Sequence, residues 1–253
     1  MADDADSSNA AKNKHTEETV SPDEPQHKKL KTDNASSSST ASPGGGDTSS
    51  FTINHFYIDS LPTLKELYED SESVKGKEEE NKFVCDNFQV IREPFQVVQL
   101  KNFIQEDDNL KKLMKDISKT DLNLINNDLY RLKQSNDLSN YSKFAKVCDF
   151  FQNDVRPFLQ DLTGINLNSK VSLTISRYDQ NDYLLCHDDQ LENRKIAFIL
   201  YLTESDWSNE DGGQLELFKC SSSDNQPLKV VKRLNPGWNL FNFFIVQPIS
   251  YHQ

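Results

Sequence analysis

LLCHDDQLENRKIAFILYL, residues 184–202, sets His187 two positions before Asp189 and follows the pair with Ile196–Leu202, a run apolar at almost every position. In an extended segment residues i and i+2 point to one side. An imidazole nitrogen of His187 and a carboxylate oxygen of Asp189 can therefore converge on one point while Asp188 turns away. Such a pair chelates. A third ligand from a neighbouring strand would complete one face of an octahedron, and two histidines with one carboxylate is the donor set of non-haem Fe(II) oxygenases. His252, in the closing YHQ, follows the expected number of intervening strands and is the candidate. The spacing alone leaves a plainer reading open, in which His187 is a hydrogen-bonded loop residue beside a solvated acidic pair. His15, His27 and His55 have no carboxylate in a comparable setting and read as tail or loop residues.

Around this stretch the last third of the chain is rich in strand patterns. VSLTISRYD alternates Val171, Leu173 and Ile175 with Ser172, Thr174 and Ser176, the two-residue period of a half-buried strand. IAFILYL reads as a central strand, QLELF alternates again, and PLKVVKRL and WNLFNFFIV flank a Pro236–Gly237 turn. Gly212–Gly213 reads as a further turn. Helices precede the strands: EDDNLKKLMKDIS places Leu110, Leu113, Met114 and Ile117 at helical spacing behind an acidic first turn. A longer helix is expected over Tyr141–Leu162, with Phe144, Val147, Cys148, Phe151, Val155, Phe158, Leu159 and Leu162 on one stripe and Gly164 as its stop. PTLKELYED predicts a short helix, FTINHFYID a strand or extended entry, and FQVIREPFQVVQLKNFI strand interrupted by Pro94. NDLYRLKQSNDL predicts loop with a short helix. The order suggests an α+β fold, with helices packed on an antiparallel sandwich or barrel.

The 253 residues carry a formal charge of −12, and the first fifty, with nine acids against five lysines, share that sign with the rest. Broad binding of a phosphate backbone is disfavoured, and a basic or neutral protein partner suits the charge better. Residues 1–50 are dominated by Ser, Asp, Ala, Thr, Pro and Gly and predict a disordered acidic tail ahead of a domain at 51–253. Within the tail, HKKLK (His27–Lys31) suggests nuclear import. Cys85, Cys148, Cys186 and Cys220 stand apart in no CxxC pair and predict free thiols in a reducing compartment. No apolar run approaches the ~20 residues that span a bilayer.

The strand with SRYDQNDYLLCHDD, then KIAFILYLT, WSNEDGGQLELF and PGWN through PISYHQ, together with the earlier NNDLYRLKQSNDL, resembles the 2-oxoglutarate- and Fe(II)-dependent oxygenases. Within them it is most similar to the ribosomal prolyl 3-hydroxylase family. The resemblance runs from Phe51 to Gln253. It implies a double-stranded β-helix (jelly roll) with packed helices, and His187, Asp189 and His252 as iron ligands. Tyr201, on the strand after the pair, would contact 2-oxoglutarate. It further implies Fe(II), 2-oxoglutarate, O₂ and L-ascorbate in the reaction. The implied substrate is a small-subunit ribosomal protein hydroxylated at proline, with an effect on translation, in nucleus and cytoplasm. Asp182 and Asp188 read as surface acids or substrate-loop contacts, Cys186 as a buried thiol facing away from the ligands, and Trp207 and Trp238 as core or rim packing. Tyr178 and Tyr183 are further candidates for substrate or cosubstrate contact.

In that family an arginine on the strand after the second histidine pairs with the far carboxylate of 2-oxoglutarate. This sequence stops at Gln253, so the comparison implies a jelly roll without its last core strand, with weak or absent turnover. Segment 238–253 would then form a sheet edge with His252 on a fraying end. A non-catalytic jelly-roll module that binds partners is the competing expectation.

Overall fold

The computed structural model describes residues 50–69, 86–191 and 193–253. The expected tail, the basic cluster at 27–31 and Cys85 lie outside the described residues. Helices come first: α1 (His55–Asp59), α2 (Leu61–Glu69), α3 (Asp107–Ser118), α4 (Ala145–Phe150) and α5 (Arg156–Thr163). Strands β1 (Phe88–Ile91), β2 (Val97–Lys101), β3 (Asn123–Asn126) and β4 (Tyr130–Gln134) lie among them. β5 (Ser176–Arg177), β6 (Tyr183–Leu184), β7 (Ile196–Leu202), β8 (Leu215–Cys220), β9 (Pro227–Leu234) and β10 (Trp238–Ile245) follow.

One antiparallel sheet runs β1-β2-β10-β7. The facing layer is built from the β8–β9 hairpin, extended by the chain end. Glu216 and Gln253 exchange backbone hydrogen bonds of 2.9 and 3.0 Å, and His252 and His187 exchange two of 2.9 Å. The second layer therefore runs β9, β8, 251–253, 187, and the two layers form the sandwich of an α+β jelly roll. Its interior holds Phe95, Val97, Leu215, Leu217, Leu234 and Phe244. The helices cover the outer face of the first sheet through a larger core, where Phe103 stacks on Phe241 at 4.3 Å and Phe151 on Phe198 at 5.2 Å. β10 is apolar nearly throughout because both its faces are covered. Among the described residues no helix is long and apolar enough to cross a membrane.

Several expectations need correction. β7, read as central, is the end strand of its sheet, whereas β10 lies between β2 and β7 rather than at an edge. His252 does not fray: its backbone pairs with His187 on one side and lies against Leu217 on the other, and the residue is buried. FTINHFYID enters a helix, because the Asn54 side chain caps it by accepting from the Phe56 amide at 3.1 Å. NDLYRLKQSNDL is the second half of a hairpin, closed by Asn127 Oδ1 accepting from the amides of Leu129 and Tyr130 at 2.9 Å each. In VSLTISRYD only Ser176–Arg177 forms a ladder. Val171, Leu173 and Ile175 still pack inward, tied to the 135–138 segment by single backbone bonds.

The long helix expected over 141–162 is segmented, with a 3₁₀ turn at Ser142–Phe144 and a π turn at Phe151–Val155 between α4 and α5. Pro157 has no N–H to give the carbonyl four residues back, and the helix widens just before it. Gly164, at φ 71°, ends it as expected.

Candidate metal centre

His187 and His252 are directly opposed across a two-residue antiparallel bridge, so their side chains leave on one face and their rings lie 4.2 Å apart. The His252 ring also meets the edge of Phe244 at 4.9 Å, an apolar wall supplied by β10. Each Nδ1 lies 2.8 Å from a backbone carbonyl two residues earlier, that of Leu185 for His187 and that of Ser250 for His252. A carbonyl only accepts, so each Nδ1 carries the proton and each Nε2 is left with its lone pair. Both lone pairs face Asp189: His187 Nε2 is 3.8 Å from Oδ1 and His252 Nε2 is 3.7 Å from Oδ2. Burial pushes the His252 imidazole below the usual histidine range, and the adjacent His187 adds to the shift.

Asp189 reaches this position through a left-handed turn and not through strand alternation. Its φ is 60°, in the left-handed region, so the carboxylate is swung toward the histidines by a turn rather than by strand period. Two side chains hold the turn. Ser250, fully buried, donates through Oγ to the carbonyl of Asp188 at 3.1 Å, tying the loop before His252 to the loop after His187. Arg194 Nη1 donates to Asp189 Oδ1 at 2.5 Å. Neither was singled out from the sequence; the only local trace of Arg194 is a cation five positions after the acid.

Two neutral imidazole nitrogens and one carboxylate, all within 4.8 Å of one another, suit a divalent transition metal. Among the described residues this is the one such group of His, Cys, Asp and Glu side chains. Asp188 is not part of it: its carboxylate accepts from the amide and side chain of Gln190 at 3.1 Å each. Asp182, expected at the surface, has a buried carboxylate that accepts from the Asp179 amide at 2.9 Å and pairs with Arg131 at 3.5 Å.

Tyr201 pairs with Leu240 and lies, with Ala197, on the inner face of the first sheet, the face on which Phe244 meets His252. Burial pushes its phenol well above the usual tyrosine range, and Tyr178 nearby adds to this, so it stays a neutral donor. Two residues on, Thr203 Oγ1 is buried with no partner among the described residues. Tyr178 and Tyr183 are exposed. Cys186 is half-buried, and burial raises its thiol. Gly212 and Gly213, at φ 78° and 70°, form the expected turn, where Trp207 Nε1 donates to the Gly212 carbonyl at 3.0 Å. Trp238 packs on the helical core and donates to Asp107.

Residues 173–253, which contain the whole cluster, match the model of the 2OG-Fe(II) oxygenase superfamily. Members of that superfamily use Fe(II) and 2-oxoglutarate, for which the His-Asp-His donor set is suited. The chain is similar to prolyl 3-hydroxylase OGFOD1 of Mus musculus, 40% identical over 163 residues that cover 64% of this chain and 30% of the relative. The same protein of Xenopus laevis is 40% identical over 162 residues, covering 63% and 31%. Prolyl 3-hydroxylase sudestada1 of Drosophila melanogaster is 35% identical over 172 residues, covering 65% and 32%. The chain thus spans about a third of the length of the curated relatives it matches.

Proposed function

We propose that this chain carries the metal- and cosubstrate-binding part of a peptidyl-proline hydroxylase, with His187, Asp189 and His252 as the iron ligands. The observation that carries the reading is the fixed tautomer of both histidines, which aims two Nε2 lone pairs at one carboxylate. When bound, iron and 2-oxoglutarate supply the chemistry that places one oxygen atom of O₂ on a substrate carbon and the other in succinate. The chain's own residues prepare the place. The Leu185 and Ser250 carbonyls orient the rings, Arg194 restrains one oxygen of Asp189, and Phe244 keeps water from one side of His252. Tyr201 offers its neutral hydroxyl to a carboxylate of 2-oxoglutarate, and the names of the relatives support a proline as the substrate residue. A small-subunit ribosomal protein is the proposed substrate, and its basic character suits an acidic chain.

The test is incubation with Fe(II), 2-oxoglutarate, ascorbate and a proline-containing peptide of such a protein. A slow mass gain of one oxygen atom on proline, in keeping with the weak turnover expected above, is the outcome that supports the reading, and it should be absent in Asp189→Ala. Mn(II) binding that needs His187 but gives no peptide oxidation under any of these conditions would reject the hydroxylase reading and leave a metal-binding module.

A further inference from the structure

The inner face of the first sheet carries amides where a sandwich interior ordinarily carries aliphatic side chains. Gln89 on β1, Gln99 on β2 and Asn242 on β10 are cross-strand partners in one row. Gln99 Nε2 donates to Asn242 Oδ1 at 3.2 Å. Asn242 is 1% exposed, and its Nδ2 has no partner among the described residues. Desolvating an amide without pairing its donor is unfavourable, so the row calls for an explanation other than packing.

A chamber of about 680 Å³ adjoins the row, between the edge strands β1 and β9. On its far wall Lys232 and Leu234 are the cross-strand partners of Leu217 and Leu215, which places both on the inner side of the second layer. The lining contains amides and two cations and no carboxylate, in a chain whose formal charge is −12. Of the cations, Arg233 is taken by Glu216 at 2.5 Å. The Lys232 ammonium makes no ion pair or hydrogen bond with any described residue, and neither does the Gln89 amide. The chamber is also remote from the metal cluster. β1 and β9 end their layers on one side, while β7 and His187 end them on the other.

We propose that this chamber binds a small organic carboxylate that carries further oxygen acceptors, at a site separate from the His187–Asp189–His252 cluster. The carboxylate meets Lys232 at the mouth, and the remaining oxygens accept from the amides along the facing sheet. The volume lies in the range of small-molecule sites. A lone uncommitted ammonium with neutral amide donors selects a small singly or doubly charged acid over a polyanion, which would need several cations. The inference does not rest on the hydroxylase reading, since neither Lys232 nor Asn242 belongs to the metal cluster.

The test is calorimetric titration of the full chain, stripped of metal with EDTA, with succinate as the probe. Saturable binding with a Kd at or below about 1 mM is expected. Lys232→Met should weaken it about tenfold or more, and Gln89→Leu, which removes an amide that lines the chamber, should weaken it too. Lys219→Met, on the same hairpin but outside the chamber, should leave it unchanged. Lys232 and Gln89 are both exposed, so their substitution leaves the core intact. His187→Ala should bind succinate as the parent does; loss there would place the acid in the metal cluster and overturn the proposal. Absence of saturable binding, an unchanged Kd in Lys232→Met, or sulfate binding as tightly as succinate would overturn it equally.

Discussion

Asp189 sits at φ 60°, where most side chains are strained and a short carboxylate that bonds locally is tolerated better. Arg194 on its Oδ1 acts in two opposed ways on a cation held there: its charge repels the ion, and its hydrogen bond orients the carboxylate. The two effects separate by substitution. Arg194→Gln removes the charge and can keep a donor, and it should hold Mn(II) at least as tightly as the parent. Arg194→Ala removes both, and loss of a partner behind a metal ligand costs about tenfold or more in affinity. Calorimetry on both variants decides the point, and equal weakening in the two would show that orientation by this bond is unimportant. The stability effect should stay below about 1 kcal/mol, because the pair is partly solvated. The His187–Asp189 pair was legible in the sequence because its two-residue spacing is local and His is rare in this chain. Arg194 and Ser250 were not, because they act through a turn whose left-handed residue leaves no period to read.

At the scale of elements, periodicity was informative wherever one element buried one face. Leu110, Leu113 and Ile117 of α3 and the 144–162 stripe pack in the helical core, while Met114 does not join it and Phe150, off the stripe, does. It misled where a side chain overrode it, as Asn54 does in starting α1 and Asn127 in closing the β3–β4 hairpin. β10 shows a further limit: covered on both faces, it is a run of apolar residues whose central position no period reveals. Phe241 is the best probe of that position. It is fully buried, stacked on Phe103 and packed against Phe151 and Phe198. Phe241→Ala should cost about 3–5 kcal/mol in urea denaturation. Ser250→Ala, which deletes the Oγ bonds to Asp188 and Gln247, should cost about 1–3 kcal/mol. Of the two, only Ser250→Ala should also weaken Mn(II), because only it loosens the turn that carries Asp189.

Over the whole molecule, the cluster joins segments far apart in the chain, and it does so at the end of the second layer of the sandwich. His187 and Asp189 come from the segment before β7, while His252, which follows β10, is held between His187 and Leu217. Strand count in the sequence is enough to bring these segments together; the Gln99–Asn242 pair, 143 residues apart, leaves no such signal. A metal bound by all three side chains therefore exists only when the second layer is closed, and it should stabilise the fold by mass action. At a free concentration of one hundred times Kd the gain is about 2.7 kcal/mol, which for a domain of this size raises the thermal midpoint by about 5–10 °C. Mn(II), which does not turn over, should produce that shift in a calorimetric scan, and EDTA should reverse it. His252→Ala and Asp189→Asn should each abolish the shift, and Asp189→Asn should do so at an unchanged metal-free midpoint, since asparagine accepts the same left-handed backbone. A shift that survives in His252→Ala would mean that the metal is held by the 187–189 segment alone, and closure of the second layer would then be independent of it.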